Sequence, residues 1–484
     1  MSAEEPKSGD LPGRARRLSP TLVEVPASAR ADMRVPVHVW ADEELWRQIS
    51  RDRTLQQIVN VATLPGIAGF AHAMPDAHEG YGFPVGGVAA FRARDGIISP
   101  GGVGYDINCG VRLLAAEVGH GQVKNRLEPL VSDLARSIPS GVGKGSHLRF
   151  DAAELDRVLG EGCSFLAERG LATAGDLDAI EAGGSLRAAD PGAVSERAKQ
   201  RGGGQLGSIG SGNHFVEVQK VERIFDDAAA EALGLWKGQL TVLIHTGSRG
   251  LGHQVCTDYV RGMDAVMARH GIELADRELA CAPFDSPEGR QYFGAMCAAA
   301  NFAFSNRQAI TYAAREAFRR ALGEDGELRL VYDVAHNMAK LERHGDEDLL
   351  VHRKGATRAF GPSHPETPAA YRGTGQPVLI PGSMGTASYV LVGTDEGFGL
   401  SFGSTCHGAG RAMSRTAAKK VQKGNEVRKA LEDKGIIVRC TSAGELAEEA
   451  PHAYKDVDRV VDVVHQAGLA RKVARLVPLG VVKG

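Results

Sequence analysis

Residue types that bind divalent cations or attack phosphorus recur in this chain beside short glycine runs. In Gly101-Gly-Val-Gly-Tyr-Asp-Ile-Asn-Cys109, Asp106 and Cys109 stand three apart, so a tight turn or a helical start aims both at one point. A carboxylate and a thiolate make a divalent-cation pair, and a thiolate can bridge two ions. Taken alone, the pair suits a buried structural cysteine better than a metal site. His214, His245 and His336 add weight, because each occupies a Gly/Ser/Asn setting at the end of an apolar stretch. With Asp106 and Cys109 they form five candidate ligands, enough for two ions sharing the thiolate. Paired cations suit phosphoryl or nucleotidyl transfer, where they neutralise charge on the attacking and leaving oxygens.

His407 has a different setting, Ser401-Phe-Gly-Ser-Thr-Cys-His-Gly-Ala-Gly-Arg411. The glycines after it leave room for a bulky group, and a following helix offers its N-terminal N–H groups. Spacing leaves two uses open: a nucleophile toward phosphorus, or a loop histidine satisfied by main chain. Pro381-Gly-Ser-Met-Gly-Thr-Ala-Ser388 has glycines and hydroxyls suited to a polyphosphate or a guanine edge. It lacks the Gly-Lys-Ser/Thr ending of a P-loop. Ser208-Ile-Gly-Ser-Gly-Asn213 is a second such loop. Arg411, Arg415 and Lys419 recur every four residues, which stacks them on one face if residues 411–423 are helical. Arg353, Lys354 and Arg358 make a second basic cluster.

These groups need elements to hold them. Residues 240–244 and 328–334 read as strands ending at His245 and His336, and a third strand, 214–218, begins at His214. Strand ends are where α/β folds collect functional groups. Helices are expected over 298–321 and 411–423. Residues 1–32, rich in Pro, Glu, Ser and Arg with little apolar pattern, read as a disordered tail. Residues 33–484 show no linker-like break, and 160–204 is a polar, Ala/Gly-rich stretch expected to be a helical insertion and loop. Of the 484 residues, 43% are hydrophobic, 24% charged and 61 are glycine, many clustered beside ionisable residues. The net charge of −2 excludes a general polycation, so any nucleic-acid contact comes from a local patch. Seven scattered cysteines, no secretory core and no apolar run of about 18 residues point to a reducing cytoplasm and no membrane span.

Longer stretches carry a resemblance. They are Asn60-Val-Ala-Thr-Leu-Pro-Gly66, Met74-Pro-Asp-Ala-His-Glu-Gly-Tyr-Gly82, Ile98-Ser-Pro-Gly-Gly-Val-Gly-Tyr-Asp-Ile-Asn-Cys-Gly-Val-Arg-Leu-Leu114 and Gly212-Asn-His-Phe-Val-Glu217. Further matches are His245-Thr-Gly-Ser-Arg-Gly-Leu-Gly-His253, Tyr332-Asp-Val-Ala-His-Asn337, Val351-His-Arg-Lys-Gly-Ala-Thr-Arg358, the segments around Ser383 and His407, and Pro478-Leu-Gly-Val-Val-Lys-Gly484. Together they resemble the RtcB family of RNA ligases from about Val35 onward. The resemblance implies a mixed α/β (α+β) fold with central β-sheets flanked by helices around a two-metal cleft, built as one catalytic domain over 33–484. It implies joining of RNA 3′-phosphate or 2′,3′-cyclic phosphate ends to 5′-hydroxyl ends, in tRNA splicing or RNA repair. GTP would guanylate His407, the guanylate would pass to the RNA 3′-phosphate, and the 5′-hydroxyl would displace GMP.

Two Mn²⁺ ions would serve this reaction, one held by Asp106, Cys109 and His214, the other by Cys109, His245 and His336. Guanylate contacts would fall on Asn213, His214, Phe215, Val216, Glu217, His336, Asn337, Pro381, Gly382, Ser383, Met384, Ser388, His407, Gly408, Ala409, Gly410, Tyr454 and Lys483. RNA is the implied partner, and an archease-type activator accompanies some family members. Ligand chemistry alone favours zinc over manganese, so manganese comes from the resemblance. The imidazole must be neutral to attack, so guanylation should weaken on acidification. Two other classes share parts of this pattern: a two-metal phosphoesterase using water, and a non-catalytic RNA-binding module with a structural metal. Neither has a use for a guanine pocket or a covalent histidine.

Overall fold

The computed structural model describes residues 11–141, 143, 145–440 and 442–484. Two large sheets dominate. The eight-stranded sheet runs, in spatial order, Leu328–Ala335, Gly110–Gly119, Gln239–Thr246, Phe215–Ile224, Ala470–Lys483, Ser388–Gly393 and Pro377–Ile380, with Ile437–Cys440 added parallel to Ala470–Lys483. Its other pairings are antiparallel. The seven-stranded sheet runs Arg16–Ser19, Leu22–Val25, Val37–Trp40, Ile67–His78, Val85–Arg92, Glu347–Lys354 and Asn337–His344. Helices flank both, so the expected mixed α/β architecture is what the chain adopts.

Register in the larger sheet gathers the expected ligands. Ala335 pairs with Gly110, Gly110 with Thr246, and His245 with both Val111 and Phe215. Antiparallel neighbours alternate direction, so the end of one strand meets the start of the next. His336, Cys109, His245 and His214, each at or beside such an end, therefore share one corner. His336 N donates to Cys109 O at 2.7 Å, closing that corner.

Beneath it runs the helix Pro287–Leu322, started by the Ser286 side chain, which accepts from Gly289 N, with proline at the first helical position. Every residue from 294 to 311 is buried, so the helix expected over 298–321 is the C-terminal part of a longer, interior one. Its polar members hold loops: Asn306 Oδ1 accepts from Gly207 N at 2.7 Å, and Arg307 donates to Asn108 O and Thr246 O at 2.8 and 2.9 Å. Asp333 accepts from Arg307 at 2.8 and 2.9 Å and from Arg112 at 2.7 Å, with all three side chains fully buried. This triad ties the ligand corner to the helix. Removing one member of such a group leaves uncompensated buried charge. Asp333→Ala is expected to destabilise the fold by about 3–5 kcal/mol in urea unfolding. A loss under about 1 kcal/mol would mean the guanidinium groups find other partners.

Two expectations are corrected. Residues 11–32, assigned to a disordered tail, supply two strands of the seven-stranded sheet, Arg16–Ser19 and Leu22–Val25; residues 1–10 of that tail lie outside the described residues. Leu22–Val25 pairs with Val37–Trp40 and buries Val23 and Val25, while Arg16 caps the edge by pairing with Glu24. Such a short, charged edge strand carries little apolar signal. The helix expected over 411–423 is Arg415–Val421, because Ser414 is its N-cap and Arg411 bridges to Tyr454 instead. Residues 160–204 are short helices and turns, as expected. No described helix is long and apolar enough to cross a membrane.

Candidate active site and metal centre

Asp106 and Cys109 bracket a turn in which Cys109 N donates to Asp106 O at 3.0 Å, with Asn108 in the left-handed region (φ 51°). Asn108 is held by its side-chain bond to Ala300 O, 2.7 Å away on the buried helix. The Asp106 carboxylate packs so closely on Gly247 that a Cβ there would lie 2.4 Å from both its oxygens. Asp106, Cys109 and His214 bring their ligand atoms within 4.8 Å of one another. His214 Nε2 is 2.9 Å from Asp106 Oδ2 and 3.4 Å from Cys109 Sγ, while His245 Nε2 is 3.3 Å from the same sulfur.

The hydrogen-bond pattern tests whether this donor set fits a cation. His214 Nδ1 lies 3.2 Å from Ile209 O, so its proton belongs there, and Nε2 presents a lone pair to Asp106 and Cys109. Likewise His336 Nδ1 bonds Thr357 Oγ1 at 2.9 Å, and its buried Nε2 has no partner. Asp106 Oδ2 also lacks a hydrogen-bond donor. Carboxylate, thiol and imidazole donor atoms converging in a buried corner fit a divalent cation once the thiol gives up its proton. Burial, then neighbouring imidazoles, holds His245 and His336 well below the ordinary histidine range, so both are neutral, as ligation requires. Burial, then Asp106, pushes the Cys109 thiol well up, which a bound cation would reverse.

The His336 and His407 rings lie 5.2 Å apart, centroid to centroid, in edge contact. One small ribbon couples them. Ala356–Arg358 pairs with Ser404–Cys406, so Thr357, which holds His336, is opposite Thr405, just before His407. Asp76 Oδ2 accepts from His407 Nδ1 at 2.6 Å, from His407 N at 3.0 Å and from Gly408 N at 3.3 Å. Burial would raise the Asp76 pKa, but the His407 imidazole and N–H groups outweigh it and keep the carboxyl below its usual value. With Nδ1 engaged, Nε2 is the nitrogen left for chemistry. Gly410, at φ 74°, lets this loop touch the Asp76 backbone; a Cβ there would sit 2.1 Å from Asp76 O.

A cleft of about 350 Å³ joins these groups. Asp106, Cys109, Asn213, Phe215, His245, His336, Asn337, Pro381, Gly382, Ser383, Met384, His407, Gly408, Ala409, Gly410, Tyr454 and Lys483 line it. His214 sits behind them in contact with Asp106 and Cys109. Val216, Glu217 and Ser388 lie in the wall rather than on the lining. Val216 is buried in its strand, and Ser388 Oγ accepts from Gly382 N (3.2 Å) and from Gln219 Nε2 (3.0 Å), shaping the 381–388 loop. Lys483 Nζ donates to Gly212 O at 2.5 Å and to His214 O at 3.3 Å, fixing the loop before His214. The basic stripe is largely self-neutralised: Arg411 and Arg415 pair with Glu449, and Lys419 with Glu448.

Glu217 is the wall's titratable anomaly. Burial pushes its carboxyl up to about 8, over the opposing pull of Gln219 and Lys483, so it is protonated at neutral pH. An acid whose folded pKa exceeds its unfolded value binds an extra proton when folded. Its contribution is full below its ordinary value near 4.5 and is lost as pH rises toward 8. Glu217→Gln, which mimics the protonated form, is expected to flatten that loss, worth up to about 1.4 kcal/mol per pH unit. Urea midpoints at about pH 5 and about pH 8 check this; an unchanged slope would mean Glu217 is ionised.

Sequence patterns missed Asp76 and Thr357. Asp76 sits within a quoted motif, but 331 residues from its histidine, with no spacing signal. Residues 57–484 match the family model described as tRNA-splicing ligase RtcB. The chain belongs to the RtcB family. It is 53% identical to the tRNA-splicing ligase RtcB of Thermococcus kodakarensis, over 93% of this chain and 95% of that protein. Identity to the tRNA-splicing ligase RtcB of Archaeoglobus fulgidus is 50%, over 98% and 100%. Identity to the RNA-splicing ligase RtcB of Mycobacterium tuberculosis is 54%, over 88% and 100%. Within this RtcB-family chain, His407 and the Asp106–Cys109–His214 corner face one cleft.

Proposed function

We propose that this chain is a GTP- and manganese-dependent RNA ligase that joins 3′-phosphate or 2′,3′-cyclic phosphate ends to 5′-hydroxyl ends, in tRNA splicing or RNA repair. The observation that carries this reading is His407, with Nδ1 locked to Asp76 and its ring edge-on to a ligand histidine. A neutral imidazole so held attacks through Nε2. The Nε2 lone pair bonds the α-phosphorus of GTP, the bond to the bridging oxygen breaks, and pyrophosphate leaves; the Nδ1 proton stays against Asp76. An oxygen of the RNA 3′-phosphate then takes the guanylate, returning neutral imidazole. The 5′-hydroxyl attacks the activated 3′-phosphorus, GMP leaves and the hydroxyl proton is released. A 2′,3′-cyclic end must first be opened by water to a 3′-phosphate.

Manganese held by Asp106, Cys109 and His214, and by Cys109, His245 and His336, would supply positive charge to phosphate oxygens. The guanylate would lie against Asn213–Glu217, Asn337, the 381–388 loop, the 408–410 backbone, Tyr454 and Lys483. A single catalytic domain, a cytoplasmic setting and an archease-type activator complete the proposal. A two-metal phosphoesterase would use the same ligands but gives no role to the Asp76–His407 pair. The test is incubation with Mn²⁺ and α-labelled GTP. Acid-labile label on the protein, released as GMP in step with RNA joining, is expected; joining without any protein label would overturn the covalent route.

A further inference from the structure

Lys455 follows Tyr454 of the cleft wall and is only 8% exposed. Its backbone N–H donates to Gly410 O at 2.9 Å. Its ammonium donates to Pro75 O at 3.3 Å and to Ala77 O, the carbonyls on either side of Asp76. One residue thus clasps the peptide units around Asp76 and the backbone just after His407. Among the described residues Lys455 makes no ion pair, which is unusual for a cation so enclosed. Burial pushes its pKa down to about 8, with the Asp76 and Asp52 carboxylates pulling the other way, so it is a cation at neutral pH.

What such a cation could serve is visible at Asp76. That carboxyl is fully buried; Oδ2 takes three donors from the His407 loop, while Oδ1 has no hydrogen-bond partner. The residue is therefore restrained by one oxygen and by its backbone. The backbone restraint comes from Lys455, from His78, whose Nδ1 lies 3.0 Å from Asp76 O, and from the close approach of Gly410. A carboxylate that sets an imidazole tautomer works only in a narrow range of position and angle, and small displacements cost large factors in rate.

We propose that Lys455 is a positioning residue for this reaction: by holding the carbonyls of Pro75 and Ala77 it fixes Asp76 against His407 Nδ1. This rests on His407 as the guanylate carrier. No bond to substrate is implied, and Lys455 acts through Asp76 alone.

The test uses the full chain with Mn²⁺ and compares single-turnover labelling by α-labelled GTP in wild type, Lys455→Met and Lys455→Gln. Lys455→Met is expected to lower the maximal labelling rate by about 10- to 100-fold. The GTP concentration giving half that rate should change less than about threefold, because the nucleotide contacts lie elsewhere. Lys455→Gln keeps an N–H donor and should lose only about 3- to 10-fold. Nitrogen-15 NMR of labelled histidines adds a readout that a merely structural lysine would not move. The proton on His407 Nδ1 should lose its hydrogen-bonded shift in Lys455→Met. A folded Lys455→Met protein with the wild-type rate would overturn the proposal, as would a slowed one with an unchanged Nδ1 resonance. If Lys455→Met fails to fold, Lys455→Gln decides by the same two criteria. Label surviving in His407→Ala would instead sink the nucleophile, while the response of His407 Nδ1 to Lys455→Met would still be there to read.

Discussion

His407→Ala is expected to leave no acid-labile guanylate on the protein and to lower RNA joining by roughly 10⁴-fold or more. The size follows from what the site lacks once the ring is gone. Two neighbouring imidazoles remain, but the Nδ1 of His336 is committed to Thr357 and that of His78 to Asp76 O. Asp76 would remain buried with its three donors reduced to two backbone N–H groups, and a carboxylate so enclosed is a poor substitute nucleophile. The comparison with Asp76→Asn sharpens the result. That variant keeps the nucleophile but loses the acceptor that fixes its tautomer, so it should label slowly, down by about 10²- to 10⁴-fold. Labelling by α-labelled GTP, followed by peptide mapping of the modified residue, reads both. Full labelling of His407→Ala, or label mapped to another residue, would remove His407 from the chemistry.

The two halves of this site were unequally legible in the sequence. The candidate ligand histidines stand out because apolar strands end in a run of glycine, serine and asparagine, and strands such as Gln239–Thr246 form where the pattern places them. Their convergence is a matter of register, since Gly110 faces both Ala335 and Thr246. No local pattern encodes that. Asp76 and Lys455 lie far from His407 along the chain, and each depends on the seven-stranded sheet being folded. The Arg112–Asp333–Arg307 triad is invisible for the same reason. The 411–423 helix was misread because a four-residue spacing of cations fits a helix face, whereas Ser414 caps a helix that starts only at Arg415. Residues 11–32 read as a tail because two strands of four residues, Arg16–Ser19 at the sheet edge and Leu22–Val25 beside it, carry arginines and a glutamate and look like solvated chain.

Cys109→Ala should cut guanylation sharply, for a different reason from His407→Ala. The sulfur is 3.4 Å from His214 Nε2 and 3.3 Å from His245 Nε2, so it stands between the two proposed ligand sets and belongs to both. Removing it takes one donor from each. What remains is Asp106 with His214 on one side and His245 with His336 on the other. Two-ligand sites of that kind hold manganese weakly, because a hard, labile ion needs several fixed donors. Labelling is expected to fall by at least about 10²- to 10³-fold at limiting Mn²⁺, with partial recovery at high concentration. His407→Ala should bind Mn²⁺ normally and recover nothing. Metal content after gel filtration separates the cases, with two ions per chain in wild type and fewer than one in Cys109→Ala as the expected outcome. The thiol lies in a buried turn, so urea unfolding of both proteins without metal is the control for misfolding. Normal labelling by a folded Cys109→Ala protein would show that the thiolate is not shared. The remaining ligands would then divide into a site built on Asp106 and His214 and a separate one on His245 and His336.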